Sequence, residues 1–321
     1  MDRRMFRYRF PVVAPVFAVV LFFLATLAAC SDNVDSCATS TQVSITAVRP
    51  QPTASAASDK TAGKPVRLFL AAGDFAVGHN RIPFAMLGEA GPLRQPSAVA
   101  AFTPSGASSA TVCADATFHP WPLAQVGVYS VEVDLDRAGL WTIEATTTLD
   151  DGTSVTSIAQ FEVREQSLSP SLGAPAPRTV NKTGAGVADL RQISSDPEPD
   201  PDLYRTTVAQ AIASGLPTVV SFATPAYCQT LTCGPQLSVL SAMKDEYAGR
   251  VNFIHIEVFD NPAEMGGDVT KGILSPHLAE WGLVSEPFTF VLDGQGIVRA
   301  KFEGFVTQDE LSVSVNKVLE G

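Results

Sequence analysis

Cys228 and Cys233 stand close together in Pro225-Ala226-Tyr227-Cys228-Gln229-Thr230-Leu231-Thr232-Cys233-Gly234-Pro235. Two thiols at this spacing can do three things. One thiolate can attack a disulfide on another molecule while its neighbour resolves the mixed disulfide. The two can close a permanent bridge that stiffens the loop. Two thiolates joined by a His can hold a soft cation such as Cu(I). A bridge across so short a loop removes little entropy from the unfolded chain, which makes a purely stabilising role the less attractive of the first two.

The flanking residues favour redox chemistry. Thr218 to Ala223 reads as a buried strand and Gln236 to Tyr247 as a helix. A helix N-terminus supplies partial positive charge and free N–H groups, and both favour a thiolate. Gly234-Pro235 suits the first helical turn, so Cys233 falls near the N-cap and is expected to have the lower pKa; Cys228 then resolves, or attacks if it is the more exposed sulfur. Phe222, Tyr227 and Phe288 are candidates for an apolar floor. The His residues available to complete a metal site are His255, on a strand, and His277, at a helix start; His79 and His119 lie far away in the chain. A lone His in such settings is more often structural, so neither a metal nor a cofactor is expected.

The elements that must position the pair alternate. A helix is expected over Leu203 to Ser214, ended by Gly215 and Pro217. After the cysteine loop and its helix come a strand at Val251 to Val258, a helix around Leu278 to Trp281, and a strand from Phe288 to Leu292. Gly294-Gln295-Gly296 turns into a strand at Ile297 to Phe302. Thr307-Gln308-Asp309-Glu310 is a capping box that opens the last helix.

The preceding half reads differently. From Val66 to Val163 short strands and turns recur with almost no helical periodicity, which argues for a β-sandwich. Val66 to Leu70 is one strand, and Pro83 makes Ile82 to Leu87 an edge or bulged one. Trp141, Ile143 and Ala145 alternate onto one face, and Asp151-Gly152 signals a hairpin into Val155 to Val163. Residues 165–202 carry six prolines and read as a semi-rigid linker. The organisation expected is a 1–29 leader, a 30–62 tether, a 63–165 sandwich, a 166–202 linker and a 203–321 α/β domain.

Charge narrows the partners. The chain carries −11, and because its first 29 residues hold four Arg and one Asp, the remainder carries −14. An acidic surface repels phosphate backbones, so nucleic acid is excluded as a partner, and broad adhesion to an anionic membrane is disfavoured.

Three resemblances sharpen this reading. The basic Arg3, Arg4, Arg7 and Arg9, the uncharged run Phe10 to Leu27, and Leu27-Ala28-Ala29-Cys30 resemble a bacterial lipoprotein signal, in which Cys30 is lipidated and begins the mature chain. The competing reading is an uncleaved membrane anchor. Both place the remainder on the extracytoplasmic face of the cell membrane. Four cysteines then remain, an even number that fits two disulfides in an oxidising compartment. Pairing Cys228 with Cys233 would leave Cys37 with Cys113, a connectivity the sequence alone does not decide.

Gly127-Val128-Tyr129 through Glu144 loosely resembles extracytoplasmic immunoglobulin-like domains, without implying an activity. Residues 203–321 resemble a thioredoxin-like domain: strand, redox loop, long helix, strand, helix, proline-opened strand, hairpin and helix follow in that order. The resemblance implies a cis-proline at Pro287, facing the cysteines and presenting a backbone edge to a bound peptide. It implies thiol–disulfide oxidoreductase chemistry on the thiols or disulfides of envelope proteins.

Three features depart from the family. The spacing is C-x4-C, and Gln236 stands where Cys233-Gly234-Pro235-Gln236 would carry the second Cys. Tyr227 precedes Cys228 where Trp is usual. The strand Val219 to Ala223 has no buried carboxylate; Glu286 can replace it or be a solvated loop residue, and the latter is preferred. The alternative functional reading is a redox-inactive or Cu(I)-binding thioredoxin-like binding module.

Overall fold

The computed structural model describes residues 65–106, 111–121, 126–228 and 232–321. The leader, the tether, Cys30 and Cys37 lie outside the described residues. Among those described, no helix is long and apolar enough to cross a membrane.

Eight antiparallel strands come first: β1 (Arg67–Leu70), β2 (Gly78–Gly88), β3 (Gly91–Pro92), β4 (Ser97–Pro104), β5 (Val112–Pro120), β6 (Gly127–Leu135), β7 (Gly139–Thr148) and β8 (Ser154–Val163). They form one sheet in the order β1-β2-β6-β5-β4-β7-β8, with β3 against β2. β5 carries the sheet around a corner. It pairs with β4 from Val112 to Thr117 and with β6 from Thr117 to Pro120. The Ser157 hydroxyl donates to the Val66 carbonyl at 2.7 Å, tying β8 back to the residue before β1. Trp141, Ile143 and Ala145 point inward as their alternation requires, and meet Phe84, Phe102 and Tyr129 in a single core. Pro83 is tolerated because it pairs with Ser130 of β6 just beyond the end of β1, and its own carbonyl accepts from Ala71.

The second sheet has four strands in the order β10-β9-β11-β12: β9 (Thr218–Ala223), β10 (Asn252–Glu257), β11 (Phe288–Leu292) and β12 (Val298–Glu303). β10 runs parallel to β9, whereas β11 is antiparallel to both β9 and β12. Alternate β9 residues supply two cores. Val219 and Ala223 join α2 (Cys233–Glu246) and α5 (Gln308–Glu320) on one face. Val220 and Phe222 join α1 (Val208–Ser214) and Trp281 on the other, beside α4 (Pro276–Glu280); α3 (Pro262–Met265) lies in the excursion after β10. This is a thioredoxin-like arrangement.

Three expectations change. The helix expected from Leu203 divides into a 3₁₀ turn, Pro201–Tyr204, and α1, because Thr207 starts a new helix with a capping box to Gln210. The cysteine helix begins at Cys233, three residues before Gln236. The proline-rich stretch is not a spacer: it packs along the second sheet. Gly173 N–H donates to Val298, Val298 N–H to Ala174, and Ala176 N–H to Gly296. Asn181 Oδ1 accepts Val208 N–H at 2.9 Å, and Thr179 Oγ1 accepts the buried Trp281 indole at 2.7 Å. Prolines hold such a strand extended, while the residues between them keep N–H groups to bond sideways. Ile193, Leu203 and Tyr204 anchor it in the core.

Buried charge joins the β-rich part to this packed stretch and to β12. Asp74 is 5 % exposed. Its carboxylate accepts Leu168 N–H at 2.8 Å, Ser169 N–H at 3.0 Å, the hydroxyls of Ser167 and Ser169, and Lys301 Nζ at 3.3 Å. Burial alone would raise its pKa, but the serines, Lys301 and Leu168 N–H outweigh burial and lower it to about 2. Nearby, the Arg81 guanidinium bonds Glu310 Oε1 at 2.8 Å, and Glu310 also closes the capping box on Thr307.

The folded Asp74 pKa lies below its ordinary value of 3.8, so its contribution is complete above about pH 4 and is lost as pH falls toward 2. Asp74→Asn leaves Lys301 buried without its partner and should cost about 3 kcal/mol. Denaturant melts from pH 2 to 7 check this; an unchanged midpoint for D74N would contradict it.

Candidate active site

β9 delivers the chain to the sulfurs. After Ala223 the backbone makes one tight turn, in which Tyr227 N–H and Cys228 N–H both donate to the Thr224 carbonyl. Residues 229–231 lie outside the described residues. Thr232 then leads into α2, with Cys233 as its first helical residue. The two sulfurs lie 2.6 Å apart and neither is part of a disulfide. Closing a disulfide of about 2.05 Å therefore needs little movement. Cys228 is half-buried, and Cys233 is fully buried among Leu237, Leu240 and Ala223.

This asymmetry opposes the lower pKa expected of Cys233 and makes Cys228 the more exposed sulfur, the case in which it attacks. The hydrogen bond to Cys228 raises the Cys233 pKa most, burial raises it further, and Glu286 adds a repulsive charge; only the Thr224 backbone N–H works the other way. The helix N-terminus does not compensate, because a sulfur sealed from water and set against a second sulfur is a poor place for charge. Cys228 is the sulfur an incoming disulfide can reach, and Cys233 sits behind it.

Glu286-Pro287 is a cis peptide bond at the start of β11, and Phe288 pairs with Phe222 at the end of β9. Glu286, expected as a solvated loop residue, is solvated only in part. It is half-buried, and its pKa is raised first by burial, then by Cys228 and by Glu257. A carboxyl with raised affinity for protons, coupled by charge to two thiols, is a candidate to take or return a proton there.

Glu257 is a site residue that the sequence pattern did not single out. It ends β10 in register with Ala223, one strand away from the β9 position where the family carries its acid. It is buried and accepts Ser195 N–H at 2.7 Å and Val258 N–H at 3.0 Å. Ser195, from the proline-rich stretch, accepts Ala226 N–H through its hydroxyl at 3.2 Å and meets the Thr224 hydroxyl at 3.3 Å. The cysteine turn is thus pinned from outside its own domain sequence. A lone acid closing the apolar run Phe253 to Val258 was the available signal. Trp121, which packs on Phe305 and on the core around the cysteines, left no such signal.

Other expected contributors lie elsewhere. Phe222 and Phe288 belong to the opposite core with Trp281, and the Tyr227 ring packs edge-on against Phe259 while its hydroxyl donates to the Pro262 carbonyl at 3.4 Å. They do not form a floor under the sulfurs. Gln236 is buried and accepts Val306 N–H at 3.0 Å. His255 Nδ1 accepts from the Tyr204 hydroxyl at 2.7 Å and its Nε2 donates to the Ala223 carbonyl, so burial holds it neutral; His277 pairs with Glu280. Among the described residues no group of three or more His, Cys, Asp or Glu is arranged to hold a metal ion. Cys113 is disulfide-bonded to neither Cys228 nor Cys233, and the Cys37 proposed as its partner lies outside the described residues.

No family model matches the sequence, and no curated protein does. Three solved structures resemble parts of the chain. A thiol:disulfide interchange protein of the thioredoxin family from Chlorobium tepidum TLS is 17 % identical, covers 40 % of this chain and 90 % of its own, and gives a TM-score of 0.29. StoA from Bacillus subtilis is 17 % identical over 31 % of this chain and 82 % of its own, with a TM-score of 0.25. Murine CRIg is 16 % identical over 31 % of this chain and 97 % of its own, with a TM-score of 0.21.

In the reduced protein Cys228 should alkylate at least about tenfold faster than Cys233 at neutral pH. Mass spectrometry of timed iodoacetamide digests measures both rates. Equal rates, or a faster Cys233, would refute the assigned order.

Proposed function

We propose that this protein is a thiol–disulfide oxidoreductase whose reactive pair is Cys228 and Cys233. The observation that carries the reading is the contact between an accessible and a buried sulfur at the start of α2. The Cys228 thiolate attacks one sulfur of a substrate disulfide. A bond forms between Cys228 and that sulfur, the substrate S–S bond breaks, and the second substrate sulfur leaves as a thiolate. Cys233 then gives up its proton, with Glu286 as the acceptor, and attacks the Cys228 sulfur. The mixed disulfide breaks, Cys228 and Cys233 end as a disulfide, and the substrate carries two reduced sulfurs. The same path in reverse oxidises a substrate dithiol. Pro287 has no N–H of its own to offer, so the edge it borders stays open to a bound chain.

The setting belongs to the proposal. The lipidation signal at Cys30, the acidic remainder and the even number of other cysteines support a lipid-anchored protein on the extracytoplasmic face of the membrane. Its substrates would be thiols or disulfides of envelope proteins. It would have two domains, a β-rich domain built on one eight-stranded sheet, in place of the two-sheet sandwich expected, followed by the thioredoxin-like domain.

Equilibration with glutathione tests the chemistry. The expected reduction potential lies above about −300 mV, and a lower value would mark the pair as an inert bridge. Cys233→Ser should accumulate a mixed disulfide with substrate through Cys228, whereas Cys228→Ser should trap none; a C233S protein that traps nothing from a disulfide-bearing substrate would count against the mechanism. For the setting, Cys30→Ala should release the protein from membranes and abolish incorporation of labelled palmitate; a C30A protein that stays membrane-bound would overturn the anchor.

A further inference from the structure

Glu303, at the end of β12, is the point where the connection from β1 to β2 meets the segment carrying Pro287. Its Oε2 accepts Gly73 N–H and Asp74 N–H, each at 2.8 Å. Its Oε1 accepts the Ser285 hydroxyl at 2.6 Å. The next residue, Gly304, donates its N–H to the Pro287 carbonyl at 2.8 Å. Gly304 has φ +79°, and a Cβ there would lie 3.1 Å from the Ala71 carbonyl, so the β1–β2 connection approaches the backbone directly. Ser285-Glu286-Pro287 is therefore held at both ends by Glu303 and Gly304, and Glu303 is itself held by the backbone of another part of the chain.

Glu286 lies in the middle of that held segment. It stands two residues before Phe288, whose β9 partner is Phe222, two residues before the Thr224 carbonyl that holds the Cys228 turn. Its negative charge opposes a second negative charge on either sulfur. Glu303 has Lys301 as its neighbouring cation, and Lys301 is directed to Asp74, Ser167 and Ser169. A carboxylate that accepts from three donors has its plane fixed, and fixes them in return. Hydrogen bonds of this kind position a reacting group through a neighbour that never touches substrate.

We infer that Glu303 is a positioning residue of the thiol site, through which the Gly73–Asp74 backbone sets Ser285 and hence the placement of Glu286 beside Cys228 and Cys233. The inference rests on the exchange chemistry proposed above and extends it: the β-rich part of the chain tunes the sulfurs through these hydrogen bonds.

The test is the pH profile of Cys228 alkylation in the reduced full chain, with thermal melts alongside. Glu303→Ala and Ser285→Ala both release Glu286, so each should speed alkylation at pH 7 by about threefold, equivalent to about half a pH unit. Ser285→Ala leaves the Glu303 bonds to Gly73 and Asp74 in place, which keeps the test readable if E303A is poorly folded. Glu303→Gln should stay within about twofold of the unmodified protein, because its amide oxygen still accepts from the backbone and its amide N–H can donate to Ser285. In a Glu286→Gln background the Ser285→Ala change should add nothing, because the charge being moved is gone. A pH profile unmoved or slowed in S285A and E303A, or an S285A effect that persists beside E286Q, would overturn the inference. An unmodified protein that exchanges no disulfide would instead overturn the functional reading, and the alkylation rates would still decide this one.

Discussion

Burying a carboxylate is expensive unless every lone pair finds a donor, and Asp74 shows how this chain meets that constraint. It sits in the middle of the β1–β2 connection and gathers donors from Ser167, Leu168, Ser169 and Lys301. Three stretches far apart in sequence must converge to satisfy it: the β-rich part, the start of the proline-rich stretch, and β12. None can drift without leaving a charge unpaired in a dry place. Glu310 repeats the device, with Arg81 at 2.8 Å and the α5 N-terminus as its donors. The contact between the β-rich part and the α/β part is thus specified by charge as well as by apolar area, and charge pairing tolerates fewer alternative alignments.

The same logic governs the thiol site. Glu257 fixes the cysteine turn through Ser195, and Glu303 fixes the cis-proline segment through Ser285. The chain lacks the carboxylate that a thioredoxin-like β9 would carry, and two acids on neighbouring strands converge on the region instead. Glu286 acts on both sulfurs through its charge. The others act on backbone, and the backbone sets where Glu286 and Cys228 stand.

Chemical asymmetry between two adjacent cysteines follows from one residue of helix geometry. Cys233 is the first residue of α2 and faces the core that Leu237 and Leu240 continue at helical spacing. Cys228 lies on the turn before it and keeps part of its surface. With C-x4-C spacing both sulfurs still meet, because the turn at Thr224 folds Cys228 back over the helix start. Gln236 is then free for another use and caps Val306 N–H, joining α2 to the entry of α5.

Local signals are legible in the residues themselves. The period-two alternation of β7, the Thr307–Glu310 capping box, the proline opening β11 and the strand–cysteine–helix order all act within about ten residues, and each appears where its turn chemistry or periodicity places it. What could not be read was anything decided by partners distant in the chain. Six prolines say that residues 165–202 run extended, but not that β12 and Trp281 wait to receive them. A helix N-terminus says that Cys233 meets positive charge, but not that Cys228, Glu286 and the core surround it. Glu303 is an ordinary residue at a strand end until Gly73 arrives from 230 positions away. Sequence alone determined which chemistry this protein has at its disposal, since two thiols beside a helix start are a local fact. Tertiary structure decided which sulfur is reachable and which acids attend it, because burial and charge pairing are properties of neighbours that only folding supplies.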